Sequence, residues 1–259
     1  MVSIAVSLPQ LQLFFLVFLR SGAFLISLPM INAPSVPVLF RIGLAVSTSI
    51  LMVPVLRPFD LPYLADSFSL GVAAAGEILL GLLAGMAVRL VFEGLQLAGQ
   101  VAGYQMGLAI AEVIDPASEE QVALLSQFNT LLATLIFIAI NGHHAFIRCL
   151  VESYEIVPPI GFQVNGPVME RLIRMSAELF LVGLKAAAPI IVALMLSTVS
   201  FGLVARTVPQ MNIFIVSMPL NIGIGLLFIG LSLPHLSSYI GDLFGATARN
   251  ALLLLRAVP

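Results

Sequence analysis

The chain has 259 residues, of which 60% are hydrophobic and 9% are charged, with a net charge of -2 and a mean hydropathy of +1.11. A soluble globular protein cannot bury so many apolar side chains, so the composition excludes that class. Lys185 is the single lysine and no basic run occurs, which excludes nucleic acid as a partner. Because Cys149 is the single cysteine, no disulfide can form within the chain.

Six long apolar segments are predicted to be helices, and several of them are long enough to span a bilayer. Proline, glycine and asparagine separate these segments, because those residues interrupt helices. The pattern predicts an all-α, polytopic membrane-associated protein built from helical hairpins. The distribution of arginine does not fix its orientation in the membrane. In chain order the segments are residues 8–30, 38–56, 68–92, 122–140, 179–204 and 211–233.

A seventh, shorter helix is predicted over residues 95–111, and one of its faces is small and polar. Glycines four residues apart allow another backbone to approach closely, and glutamines away from water need hydrogen-bond partners. The face therefore predicts a packing contact, either with another helix of this chain or with a second subunit or a cavity. It consists of Gln96, Gly99, Gln100, Gly103 and Gly107, at spacings of three and four.

Glu77 is an ionisable residue inside the apolar run GEILLGLLAG. A carboxylate at membrane depth usually faces a bundle interior or a wet cavity. Two roles fit it: a helix-end carboxylate at the membrane interface, which we favour, and a member of an ion relay. Gly81 and Gly85 in the same run form another close-packing pair.

The segment YQMGLAIAEVIDPASEEQ, residues 104–121, holds four of the thirteen acidic residues. Asp115 is predicted to cap the N-terminus of the next helix, and Pro116 suits the first helical position. Ser118 offers an alternative capping box with Gln121. Glu112 has no such explanation. The apolar part of the segment, before the cap, connects two helices.

Common catalytic and metal-binding motifs are absent from the sequence, which has no HExxH, no GxSxG, no phosphate-binding loop and no cysteine pair. His143 and His144 are adjacent, so their rings are predicted to diverge at a wet helix end that Asn141 and Gly142 cap. We therefore expect no enzyme activity, no cofactor and no metal site.

Five segments of the chain form an ordered series that covers most of its length. They are VPVLFRIGLA (36–45), GEILLGLLAG (76–85), AGQVAGYQMGLAIAEVIDPAS (98–118), NGHH (141–144) and ARTVPQMNIFIVSMPLNIGIGL (205–226). The series resembles FliR, the R subunit of the flagellar type III export gate, and its virulence-secretion relative SctT. The resemblance implies a conduit that forms a pore with FliP and FliQ, beside FlhA and FlhB. Unfolded flagellar proteins would leave through it, across the bacterial inner membrane at the flagellar basal body.

The resemblance also implies an internal division and a pore plug. Residues 1–178 would form a P-like part, and residues 179–259 a Q-like helical hairpin with a C-terminal tail. The plug would extend from the hinge Gly107 to Ser118, with seal-forming side chains at Met106, Ile110, Val113 and Ile114. Some relatives have Phe where this chain has Ile110 and Val113, although a narrow aliphatic ring also resists wetting.

The alternative from another class is a small-ion or solute transporter. It would use Glu77, Lys185 and Glu178 as its relay. Lys185 follows Glu178 by seven residues, on the same face of the predicted helix.

Overall fold

The computed structural model describes residues 7–56, 64, 66–108, 124–162, 166–208, 210 and 212–256. Throughout this part the regular secondary structure is helical, which confirms the all-α prediction. The helices are α1 (Leu8–Ser27), α2 (Val38–Met52), α3 (Ser67–Met106), α4 (Leu124–Ala139), α5 (Gly142–Ile156), α6 (Gly166–Thr207) and α7 (Ile213–Leu255).

Four of these helices are long and apolar enough to cross a membrane: α1, α3, α6 and residues 215–255 of α7. α4 and α5 together pass the same test as a pair bent by 72°. α2 is apolar but has only 15 residues. The polytopic prediction is therefore confirmed by length and composition.

Three helices are longer than the sequence predicted. α3 is one helix of 40 residues, because the charged residues near position 90 interrupt the apolar pattern without interrupting the helix. α6 has 42 residues and begins at Gly166, where Pro167 suits the first helical turn. α7 has 43 residues and continues through Pro219 and Pro234, so residues 234–255, predicted as a tail, are helical.

α5 is a helix that the sequence prediction missed. Asn141 adopts the left-handed conformation with a φ of 55°, as a residue that ends a helix often does. Gly142 does not share that role, since it is the first residue of α5. The rings of His143 and His144 do not diverge as predicted, because their centroids are 4.2 Å apart.

The chain separates into two compact units, each formed from discontinuous segments. Unit 1 contains Met1–Leu90, Asn141–Ser176 and Phe244–Pro259; unit 2 contains Val91–Ile140 and Ala177–Leu243. The predicted division at residue 178 falls inside α6, close to Ala177, where the chain enters unit 2. The P-like and Q-like assignment stays a prediction.

Glycine permits the close packing of α1 on α3 inside unit 1. A Cβ added at Gly81 would collide with the Arg20 carbonyl, and one added at Gly85 would collide with Ser27. Only glycine leaves room for two backbones at that separation. The prediction of close packing at this glycine pair is confirmed.

Candidate functional site

The polar face predicted on α3 packs against α4 within unit 2. A Cβ at Gly99 would lie 2.5 Å from Cα of Ser126, so the two backbones touch at this point. The Ser126 hydroxyl donates to the Gln96 carbonyl at 3.0 Å, and the Asn129 amide donates to the Leu95 carbonyl at 3.3 Å. Gly99 therefore serves a contact inside the chain, one of the two roles predicted for this face.

The rest of the face divides between the chain interior and the surface. Gly103 is buried, with Cβ of Leu125 3.9 Å from the position its own Cβ would take. Gln96 and Gln100 are partly exposed. A subunit contact at these two glutamines stays a prediction.

Met106, the last residue of α3, is part of the apolar core of unit 2. Its side chain is 1% exposed and belongs to a cluster with Ala102, Leu125, Ile190, Leu194 and Ile229. The thioether fills the space beside Gly225, where an added Cβ would lie 2.6 Å from the sulfur. α3 is thereby fixed to the hairpin of α6 and α7 at the residue where it ends.

Gly107 ends α3 in the left-handed conformation, with a φ of 85°. Its N–H donates to the Tyr104 carbonyl, and the Leu108 N–H donates to the Gly103 carbonyl, both at 3.1 Å. These two bonds form a Schellman motif, and Leu108 packs on the Met106 cluster as such motifs commonly do. Gly107 is thus the C-terminal cap of α3, which ends before residue 111, and its role as a hinge stays a prediction.

The rest of the predicted plug lies outside the described residues. This applies to Ile110, Val113 and Ile114, to the predicted cap residues Asp115, Pro116 and Ser118, and to Glu112. Their roles, and that of Met106 in a seal, stay predictions. Helix α4 is described from Leu124 onward.

Glu77 lies in the interior of unit 1 and forms an ion pair with Arg20. The Arg20 guanidinium donates to both carboxylate oxygens, from Nε at 2.5 Å and from Nη2 at 3.1 Å. Both side chains are 1% exposed. The favoured prediction of a helix-end carboxylate at the interface was therefore wrong, because its charge is neutralised inside the bundle.

Backbone groups and an aromatic ring complete the surroundings of this ion pair. Nη1 of Arg20 donates to the carbonyls of Ser153 at 3.2 Å and Val157 at 2.9 Å. The Ile160 N–H donates to Glu77 at 3.1 Å, and the Tyr154 ring centroid lies 4.1 Å from the guanidinium carbon. Groups from three helices, α1, α3 and α5, thus meet at this ion pair.

The sequence reasoning missed Arg20, although a signal was present. Arg20 lies inside an apolar helix of 20 residues, and an ionisable residue at that depth requires a partner. Lys185 and Glu178, the other members of the predicted relay, are both exposed on α6.

Comparison with known proteins gives one family for almost the whole chain. The family model described as bacterial export proteins, family 1, matches residues 11–247. The flagellar biosynthetic protein FliR of Escherichia coli (strain K12) is 31% identical over 92% of this chain and 90% of its own length. FliR of Bacillus subtilis (strain 168) is 28% identical over 95% of each chain, and FliR of Aquifex aeolicus is 31% identical over 88% of this chain and 89% of its own.

The matches extend over almost the whole chain. The family model includes the described helices α2 to α6, the α3–α4 contact and the Arg20–Glu77 pair. The apolar helices agree with a membrane-associated component of flagellar export. The chain therefore belongs to the FliR family of bacterial export proteins.

Proposed function

We propose that this chain is the R subunit of the flagellar type III export gate and forms, with FliP and FliQ, the pore through which unfolded flagellar proteins cross the bacterial inner membrane. In this proposal it lies in the flagellar basal body, beside FlhB and FlhA. It serves as a conduit and has no catalytic role. Family membership over residues 11–247 supports the export function.

The observation that carries the proposal is how the predicted plug segment is attached. On its N-terminal side, Met106 is buried in unit 2 and Gly107 is capped by two hydrogen bonds. On its C-terminal side, α4 returns to the same surface, with Ser126 against Gly99. The helices on the two sides of the predicted plug segment thus belong to one packed body, unit 2, which would hold a seal at both of its ends.

Conductance provides the test of this seal. Replacing residues 110–114 with Gly and Ser removes the apolar side chains, and we expect the membrane to become permeable to small ions while the complex still assembles. The matched control exchanges Ile110 for Val and Val113 for Ile, which preserves an apolar ring that resists wetting. Unchanged conductance in the Gly/Ser variant, with assembly verified, would refute the seal.

Co-purification and export test the assembly itself. Chromosomal deletion should abolish flagellin export, and the chain should leave the membrane together with two smaller hydrophobic proteins. Export that continues without this gene would contradict the flagellar role.

The alternative, a small-ion or solute transporter, has less support from the structure. A relay group must bind and release its ion, whereas both oxygens of Glu77 accept hydrogen bonds from Arg20. Liposomes that contain this chain alone should therefore show no transport. Transport by the isolated chain would favour the alternative.

A further inference from the structure

The chain between α5 and α6 packs against α3 inside unit 1. Its described part is residues 157–162, and we call residues 158–162 the strap. A Cβ added at Gly76 of α3 would lie 3.1 Å from Cβ of Phe162, so the strap contacts the backbone of α3 directly. This contact lies one residue before Glu77, the carboxylate of the buried ion pair.

Ile160, in the middle of the strap, has a strained backbone. Its φ is 74°, in the left-handed region, where a β-branched residue is disfavoured because its Cβ lies too close to the following carbonyl oxygen. Gly161, the next residue, would adopt this conformation without that cost, yet its φ is not positive. A strained backbone persists only where the surrounding structure holds it in place. The strap therefore has a specific restraint at Ile160.

The Arg20–Glu77 ion pair supplies this restraint. The Ile160 N–H donates to Oε1 of Glu77 at 3.1 Å, and the same oxygen accepts from Nη2 of Arg20 at 3.1 Å. Nη1 of Arg20 donates to the Val157 carbonyl at 2.9 Å, directly before the strap begins. A hydrogen bond to an ionised carboxylate is roughly twice as strong as one between neutral groups. The charged bond thus opposes the strain at the residue where the strain lies.

The strap also forms one wall of a cleft of about 500 Å³ in unit 1. Ile160 and Phe162 line this cleft from the strap, and Val72, Gly76 and Leu79 line it from α3. Displacing the strap would therefore widen the cleft and expose more of the apolar surface of α3.

We propose that the strap is a releasable element, which Glu77 latches against α3 and which the strain at Ile160 drives away from it. In the latched position the Ile160 N–H donates to the carboxylate, and Phe162 lies on Gly76. On release, Ile160 leaves the left-handed region, Phe162 leaves Gly76 and the cleft opens. The two opposing contributions are similar, since a charged hydrogen bond and a left-handed β-branched residue each change an equilibrium on the order of tenfold. A change in either one therefore shifts the position of the strap.

Hydrogen–deuterium exchange of the full-length chain in detergent measures the release. The strap begins with two prolines, which have no N–H, so a peptide of residues 158–162 reports only the amides after them. Glu77→Gln should raise their exchange rate about tenfold at a temperature below the melting transition. Glutamine has one acceptor oxygen, whereas donors face both oxygens of residue 77, so it cannot replace the bonds to both Arg20 and Ile160.

Ile160→Gly tests the strain in the parent background. Glycine removes the Cβ that disfavours a left-handed backbone, so the strap should be released less often. After correction for intrinsic exchange rates, its amides should exchange roughly fivefold more slowly than in Ile160→Ala. Ile160→Ala is the matched control, because alanine also lacks the rest of the side chain but keeps Cβ. Adding Ile160→Gly to Glu77→Gln should lower the exchange rate below that of Glu77→Gln alone.

Two controls separate release of the strap from opening of the whole of unit 1. Arg174→Gln, which breaks an exposed ion pair, should leave exchange in the strap unchanged. Cys149, buried on α5, should stay unreactive to maleimide in Glu77→Gln under the same conditions.

Three outcomes would overturn the proposal. The first is unchanged exchange of the strap in Glu77→Gln, and the second is a rise in Cys149 reactivity by the same factor as the strap exchange. The third is equal exchange in Ile160→Gly and Ile160→Ala, which would show that strain does not drive release. None of these outcomes depends on whether the chain forms the export pore.

Discussion

Glu77→Gln is the most direct test of the buried ion pair in unit 1. The substitution preserves the shape of the side chain but removes its charge, so Arg20 remains cationic at 1% exposure without a counter-ion. It also places an amide group against a guanidinium that now donates to two carboxylate oxygens at 2.5 and 3.1 Å. The carbonyls of Ser153 and Val157 still accept from Arg20, which offsets part of the loss.

The expected magnitude follows from the burial of both groups. Removing one partner of a buried pair costs about 3–5 kcal/mol, because the remaining charge has neither water nor a counter-ion. For a chain of this length, 1 kcal/mol corresponds to a change in melting temperature of roughly 2–4 °C. We therefore expect Glu77→Gln to melt on the order of 10 °C below the parent chain.

The single cysteine provides the assay, since the chain has no tryptophan. Cys149 is 1% exposed and lies on α5, one turn before Ser153. A maleimide dye that becomes fluorescent on reaction with a thiol therefore reports the opening of unit 1. Its reaction is followed while the protein in detergent is heated.

Two further variants decide whether burial is the cause. Arg174→Gln breaks a pair whose side chains are 72% and 66% exposed, and exposed pairs contribute under about 1 kcal/mol. The double variant Arg20→Met with Glu77→Leu should melt above Glu77→Gln alone, since an apolar pair leaves no charge uncompensated. A Glu77→Gln melting temperature within about 2 °C of the Arg174→Gln control would refute the reasoning.

Three other positions give predictions with separate controls. Gly99→Val should prevent the close α3–α4 contact, and the protein should elute as an aggregate in size-exclusion chromatography. Gly43→Ala is the control and should elute as the parent chain does, because a Cβ at Gly43 has no described atom within 4 Å. Gly225→Ala should lower the melting temperature, and the same substitution should lower it less in a Met106→Ala background, where the space that the new methyl group enters is already vacated. The pKa of Asp66 is lowered mainly by the backbone N–H at position 69, so its contribution to stability is complete above the ordinary carboxyl pKa and is lost as the pH falls below it. Asp66→Asn should therefore flatten the decline in stability below about pH 5, as the pH falls through the ordinary carboxyl pKa and then the lowered one. An unchanged pH profile would contradict this account.

The positions of the apolar helices were predictable, because length and hydrophobicity alone decide which segments can span a bilayer. α5 was not predicted by that criterion, since His144, Arg148 and Glu155 on its exposed side interrupt the apolar run. The buried residues lie at intervals of four, three and one: Gly142, Phe146, Cys149, Leu150, Ser153 and Tyr154. A search for helical periodicity, and not for apolar runs, would have found this helix.

The partner of Glu77 could not be predicted from periodicity. Arg20 and Glu77 are 57 residues apart in sequence. Periodicity predicts which face of a helix is buried, but it does not predict which helix lies opposite. The pairing becomes visible only in the structure, where Gly81 and Gly85 bring α1 against α3. Glycine spacing predicted a close approach at this point without identifying the second helix.

The attachment of the predicted plug limits how a pore formed by this chain could open. Met106 is fully buried, and removing a buried Met side chain from a core costs about 2–5 kcal/mol. Gly107 and Leu108 add two backbone hydrogen bonds to that anchor. A movement of Met106 would therefore disrupt the core of unit 2. In the proposed gate, replacing Gly107 with Val should impair closure by straining the cap at a φ of 85° without changing the apolar side chains of the predicted seal. A Gly107→Val pore with parental ion leakage would show that the cap does not position the seal.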